Sequence, residues 1–253
     1  MPKDKKVKKN PPYAEIIRRH CVPLHIVEKD ISSHNQGGVK FVGGSALLLE
    51  TIAGRFFVTA SHVWRELMDR AQRFHENCRI VTYELNGPVP LDKPILIDES
   101  EELDLAVFTV SGINNFNLNG KEFLQTSNRP MAAAQSDDII VGCGYPGNSR
   151  LFIDGHWEFE ILFWAHNRCS LSQTGTRLWL DGQSDKGKIT YSTKAKSRQI
   201  ALPGISGAPL FALRETLDWV GVVRSGCGTP LNGYSIQATP SSFVMADGHI
   251  LKN

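Results

Sequence analysis

Long apolar runs are missing from this 253-residue chain. Stretches such as Ala46-Leu47-Leu48-Leu49 fall far short of the roughly 18 to 20 residues that a membrane-spanning helix requires, so no membrane partner is expected. The lysine-rich start leads into Asn10-Pro11-Pro12-Tyr13 and a polar mixture, without the apolar core that an export signal needs. Cysteine is scarce: Cys21, Cys78, Cys143, Cys169 and Cys227 are odd in number, scattered, and include no CxxC pair. Neither a disulfide framework nor a zinc knuckle is indicated, and a reducing, cytoplasmic setting is expected. No excess of either charge is present, with 28 Lys+Arg against 26 Asp+Glu. Residues 1 to 10 alone carry five Lys and one Asp, which leaves the rest at −2. That balance argues against a nucleic-acid binder. What is there is ordinary globular composition, 41% hydrophobic and 21% charged, enough for a large core in one domain or two halves.

The pattern that fills the chain is short apolar runs separated by Gly, Asn, Asp and Pro, the signature of an antiparallel all-β protein. The runs are Ala46 to Glu50, Arg55 to Ala60, Arg79 to Leu85, Leu105 to Val110, Ile139 to Gly142, Trp157 to Trp164, Lys188 to Ser192, Ala208 to Leu213, Trp219 to Val223 and Tyr234 to Gln237. Turn signals stand between them at Ala53-Gly54, Asn119-Gly120, Asp181-Gly182, Lys186-Gly187 and Asn232-Gly233. Helical spacing follows His62, where Val63, Leu67, Ala71 and Phe74 share one face. A second short helix has its start signal near Ser241 or Ser242. The expected organisation is a flexible basic arm (1–12), a lead-in of helix then strand (13–36), a first β-barrel (37–113), a crossover (114–134), and a second β-barrel with the C-terminal segment (135–253).

Three segments carry chemistry. Phe56-Phe57-Val58-Thr59-Ala60-Ser61-His62 ends an apolar strand in a histidine, Leu103-Asp104-Leu105-Ala106-Val107 sets an aspartate at the head of another, and Gly204-Ile205-Ser206-Gly207-Ala208-Pro209 places a serine between glycines. Singly each has an ordinary structural explanation: a satisfied histidine, a turn aspartate, a tight glycine turn. In this order they resemble the trypsin-like (chymotrypsin-fold) serine peptidases. Thr59-Ala60-Ser61-His62 is similar to that family's Thr-Ala-Ala-His, Asp104-Leu105-Ala106-Val107 to its Asp-Ile-Ala-Leu, and Gly204 to Pro209 to its Gly-Asp-Ser-Gly-Gly-Pro. The separations of 42 and 102 residues are of the size that two consecutive barrels imply. Tyr145-Pro146-Gly147 and Val220-Gly221-Val222-Val223 resemble second-barrel landmarks of bacterial members.

The resemblance implies an all-β fold of two consecutive antiparallel six-stranded β-barrels, a serine endopeptidase acting on protein or peptide substrates, and no cofactor or metal. Ser206 is the candidate nucleophile, His62 its base, and Asp104 the carboxylate that fixes the histidine tautomer. The backbone N–H groups of Gly204 and Ser206 are the candidate oxyanion donors. Ile205 stands where zymogen-activated members have Asp, so activation by N-terminal cleavage is not expected. Ala208 and Ser61 are departures that remove no catalytic atom. By position, Ile200 would form the base of the primary pocket, and Arg224, Ser225 and Gly226 its substrate-facing edge. Without an acidic residue at Ile200, an apolar or small side chain is expected over Lys or Arg. Arg224 would narrow the pocket or attract an acidic substrate.

Other readings are weaker. An α/β-hydrolase order of Ser206, Asp218 and His249 leaves too little chain after the serine for the rest of such a sheet. His20, Cys21 and His25 lack the spacing of a zinc site. The five tryptophans, Trp64, Trp157, Trp164, Trp179 and Trp219, read as packing. The alternative kept is a catalytically inert or partner-activated trypsin-like module acting in protein binding, which leaves room for a regulatory partner protein.

Overall fold

The computed structural model describes residues 12–28, 43–74, 78–84, 87–91, 93–115, 120–126, 132–146, 150–153, 156–159, 161–166, 169–182, 191–192, 204–229 and 233–252. The basic arm up to residue 11, Ile200 and the Lys186-Gly187 turn signal lie outside them.

The first half opens with helix α1 (Pro12–Arg19) and strand β1 (Cys21–Glu28), followed by β2 (Gly43–Thr51), β3 (Gly54–Thr59), helix α2 (Ser61–Phe74), β4 (Cys78–Glu84), β5 (Gly87–Pro90), β6 (Pro94–Ser100), β7 (Leu105–Val110) and β8 (Leu124–Gln125). They make one sheet in the order β5-β4-β1-β2-β3-β7-β6, with β8 alongside β2 as its parallel partner. The second half contains β9 (Ile139–Gly144), β10 (Arg150–Ile153), β11 (His156–Phe159), β12 (Leu162–His166), β13 (Ser170–Leu171), β14 (Leu178–Gly182), β15 (Tyr191–Ser192), β16 (Pro209–Leu213), β17 (Leu217–Thr229) and β18 (Gly233–Pro240). Its sheet runs β13-β14-β18-β17-β16-β9-β12-β15, all neighbours antiparallel, with β10 and β11 a separate hairpin. The described residues thus make an all-β fold of two consecutive, almost wholly antiparallel sheets. Among the described residues each of the two large sheets has eight paired strands where six were expected, because two- to four-residue segments such as β5, β8, β13 and β15 are too short to leave an apolar pattern.

Strand alternation explains why the central runs are apolar without interruption. Successive side chains leave a strand on opposite faces, and both faces here are covered. Ala46, Leu48, Phe57, Ala106 and Phe108 fill the first barrel, while their neighbours Leu47, Leu49, Phe56, Val58, Leu105 and Val107 pack between the halves. In the second half Ile140, Leu210 and Ala212 fill the barrel, and Val141, Cys143 and Phe211 meet the first half. Burying a side chain of this size contributes about 1.5 to 3 kcal/mol. Trp64, Trp164 and Trp219 are buried as packing residues.

Several local details depart from the linear reading. The lead-in strand β1 lies between β2 and β4, so the first sheet reaches back to Cys21. The run from Trp157 to Trp164 divides into β11 and β12 in different sheets. Asp181-Gly182 ends β14, paired with Ser235 and Tyr234, and makes no turn. Strand β6 went unread because its apolar start gives way to Asp98-Glu99. The helix after His62 forms as its spacing predicts, with Val63 and Leu67 buried. The start signal near Ser241 becomes one 3-10 turn, Ser241–Phe243. From there the tail returns to the first half, where the Ile250 N–H donates to Asp98 Oδ2 at 2.9 Å and Lys252 Nζ lies 2.7 Å from Asp98 Oδ1.

Candidate active site

His62 and Asp104 come together through strand register. Strands β3 and β7 pair antiparallel with Thr59 opposite Ala106, and continuing two residues sets Asp104 level with Ser61, beside His62. A tight turn, in which the Asp104 N–H donates to the Glu101 carbonyl at 3.1 Å, delivers the aspartate with φ +51°. That left-handed conformation is one that aspartate tolerates better than most residues. His62 lies in the first turn of α2, where backbone N–H groups lack helical acceptors. Asp104 Oδ1 accepts the His62 N–H at 3.0 Å, and its two oxygens lie 3.0 and 2.9 Å from His62 Nδ1. The carboxylate therefore caps the helix and orients the ring in one contact, with its charge at the favourable end of the helix dipole. Nearby, Ser61 Oγ donates to Glu99 Oε1, and Arg65 pairs with Glu99 at 3.2 Å and Glu101 at 2.6 Å. The His62 side chain is 47% exposed against 13% for Asp104, so the ring is anchored on one side and open on the other.

Burial alone would raise the Asp104 carboxyl. The hydrogen bonds from the His62 ring and N–H, together with the charges of His62 and Arg224, outweigh it and hold the carboxyl below its ordinary value.

Ser206 sits on the turn ahead of β16, with Gly204 at φ +93° and Gly207 at φ +84°. The turn is docked across the two halves. Ser206 O accepts the Ser45 N–H at 2.8 Å, the Gly207 N–H donates to Val223 O at 2.8 Å, and the Ala208 N–H donates to Ile205 O at 2.9 Å. Gly44 is wedged between Ser206 and the residue after His62: a Cβ there would lie 2.6 Å from Ser206 O and 2.8 Å from Val63 Cγ2. The N–H groups of Gly204 and Ser206 donate to no backbone carbonyl among the described residues. Ser206 Oγ donates to the Arg224 carbonyl at 2.9 Å, and no hydrogen bond joins it to His62 among the described residues.

The His62–Asp104 pair is linked to the Ser206 turn through Gly44, which meets Ser206 and Val63, and through Arg224. Arg224 joins them through its own side chain, with Nε 3.9 Å from Asp104 Oδ2; the sequence had put it on the substrate-facing edge. Ser225 and Gly226 follow it along β17, paired with Gln237 and Ile236 of β18. Ile200 is outside the described residues. The reading from sequence also passed over Ser45. Its N–H holds Ser206, its Oγ accepts the Tyr145 N–H at 3.0 Å, and its carbonyl accepts Thr59 Oγ1 at 2.7 Å. The available signal was Gly43-Gly44 directly before an apolar strand, a mark of close backbone approach. His20, weighed as a metal ligand, instead has Nδ1 2.8 Å from the Glu122 carbonyl, and no group of three potential metal ligands converges among the described residues. No described helix is long and apolar enough to cross a membrane.

No family model and no curated relative matches the chain. Among solved structures it is similar to the serine protease domain of the Sesbania mosaic virus polyprotein, at 15% identity over 93% of this chain and 94% of that one, with a TM-score of 0.48. A structure describing how aromatic interactions drive the coupled folding and binding of the disordered Sesbania mosaic virus VPg protein is 14% identical over 89% and 87%, with a TM-score of 0.49. A thermostable serine protease from an extremophilic microorganism is 14% identical over 88% and 91%, with a TM-score of 0.46.

Proposed function

We propose that the protein is a serine endopeptidase that hydrolyses peptide bonds through an acyl-enzyme on Ser206. The observation that carries the reading is the Asp104 carboxylate held against His62 Nδ1, with the imidazole open to solvent on its other side. Asp104 fixes the tautomer with the proton on Nδ1, leaving Nε2 as the base. The Ser206 hydroxyl turns from the Arg224 carbonyl toward Nε2, its oxygen attacks the peptide carbonyl carbon, and its proton passes to His62. The N–H groups of Gly204 and Ser206 receive the oxyanion. The imidazolium returns the proton to the departing amine, and water then releases the acyl group by the same steps. No cofactor takes part in this scheme. The substrate is a protein or peptide, with an apolar or small residue preferred in the primary pocket. The reading extends to a reducing compartment, in keeping with the free, buried thiols of Cys21, Cys143 and Cys169.

A second reading, a trypsin-like module that is inert or awaits a partner, draws on one observation: the Ser206 hydroxyl is bonded to a carbonyl and not to His62. Labelling with a fluorophosphonate probe separates the two. Covalent labelling of the wild type that is lost in Ser206→Ala and slowed at least a hundredfold in His62→Ala supports the peptidase. Labelling that persists in Ser206→Ala overturns the assignment of the nucleophile. A folded wild type that takes no label favours the partner-activated module.

A further inference from the structure

Arg224 touches both ends of the candidate triad. Its carbonyl accepts the Ser206 hydroxyl at 2.9 Å, and its Nε stands 3.9 Å from Asp104 Oδ2, an ion-pair contact too long for a hydrogen bond. The two side chains are 17% and 13% exposed, so solvent and salt screen the pair weakly. A break in strand pairing produces this contact. Val223 pairs with Ala238 and Ser225 with Gln237, leaving Arg224 as the extra residue of a bulge in β17. A bulge takes a side chain out of the strand's alternation and re-aims it, here across the junction to the first half.

Asp104 has reason to need a second cation. It is mostly withdrawn from water, and a desolvated carboxylate is costly unless paired. His62 supplies a formal charge only when protonated, and a base at rest is neutral. Among the described residues, the ionisable groups around the pair are His62 from α2 and Arg224 from β17, with Arg177 near Arg224. Glu101 and Glu102 share the aspartate's own turn, where Glu101 is engaged by Arg65.

We propose that Arg224 is a positioning residue, whose guanidinium keeps the Asp104 carboxylate ionised and oriented toward His62 while the imidazole is neutral. Its kinetic consequence rests on the peptidase reading; its effect on the carboxyl does not. The direction in which Asp104 titrates, below its ordinary value with the Arg224 charge contributing, agrees with this role.

The test is a carbon-detected NMR titration of the Asp104 carboxyl in the full chain, its resonance assigned by its loss in Asp104→Asn. Arg224→Gln is expected to raise the Asp104 titration toward the ordinary carboxylate value, while Arg224→Lys keeps most of the wild-type position. In fluorophosphonate labelling, Arg224→Gln is expected to lower the maximal inactivation rate about tenfold without weakening initial probe binding, and Arg224→Lys to restore part of it. In the wild type itself, the Arg224 Nε–H resonance is expected to move in step with the Asp104 titration and to lose that step in Asp104→Asn; this reading stands even where Arg224→Gln does not fold. An Asp104 titration unchanged in Arg224→Gln, or an Arg224 Nε–H signal indifferent to Asp104, overturns the proposal. Failure of the wild type to label, with the carboxyl shift intact, overturns the peptidase reading and leaves the positioning contact standing.

Discussion

Replacing Gly207 by alanine is expected to destabilise the protein through a clash between its halves that conformational strain alone does not account for. The residue has φ +84°, and a Cβ built there would stand 1.9 Å from the Ser45 carbonyl oxygen and 2.3 Å from Thr59 Oγ1. Ordinary contact begins at about 3.4 Å, so the turn must retreat by roughly 1.5 Å. Ser45 cannot yield, since its carbonyl accepts Thr59 Oγ1 and it sits inside the β1–β2 pairing, opposite Pro23. The retreat breaks the Ser45 N–H to Ser206 O and Gly207 N–H to Val223 O bonds, each worth about 1 kcal/mol. Left-handed backbone on alanine adds about 1 to 2 kcal/mol, giving a total of about 3 to 4 kcal/mol. Gly120→Ala is the control, because its φ of +81° carries the same strain while nothing lies within 4 Å of its Cβ. Denaturant unfolding of the two variants should separate them by about 2 kcal/mol, and Gly207→Ala should also fail to take the fluorophosphonate label. Equal stabilities, within about 0.5 kcal/mol, would refute the argument that the serine turn is locked against Ser45.

Three further outcomes are expected. Lys121 Nζ donates to Arg18 O at 2.7 Å, Cys21 O at 2.6 Å and Tyr145 Oη at 2.8 Å, so Lys121→Met removes three part-buried hydrogen bonds and should cost about 3 kcal/mol in denaturant unfolding. Burial opposes ionisation of Asp98, but Lys252 and the N–H groups of Ile250 and Glu99 hold its carboxyl down to about 2. Because that value is depressed, its contribution to stability is present above the ordinary carboxylate value and is lost as pH falls through about 2. Unfolding curves of wild type and Asp98→Asn should therefore converge between about pH 4 and pH 2, and parallel curves would remove Asp98 as the cause. Phe108 stacks on Phe57 at 4.9 Å and meets Trp64 at 4.7 Å, so Phe108→Ala should cost about 3 to 5 kcal/mol by thermal or chemical unfolding.

How much of this was legible beforehand depends on the range of the interaction. The apolar runs that became β2, β3, β7, β9 and β16 declare themselves locally, and so does the helix after His62. Pieces of two to four residues do not, since a strand that short has too few alternations to form a pattern. Strand β6 was hidden by its acidic end. Those acids are engaged from a distance, Asp98 by Lys252 and Glu99 by Arg65. Ser45 looked like any serine at a strand start because its three partners, Thr59, Tyr145 and Ser206, are 14, 100 and 161 residues away.

By itself the sequence determined the strand-rich class, the position of the helix that begins beside His62, and the His62, Asp104 and Ser206 segments in order, because each follows from residues adjacent in the chain. Only the tertiary structure decided what those residues face. The β3–β7 register brings Asp104 onto both the ring and the N–H of His62. The bulge in β17 carries Arg224 to that same carboxylate. A bulge is one unpaired residue between two correctly paired ones, and its side chain's direction comes from the twist and pairing of the neighbouring strands, which the local sequence does not encode.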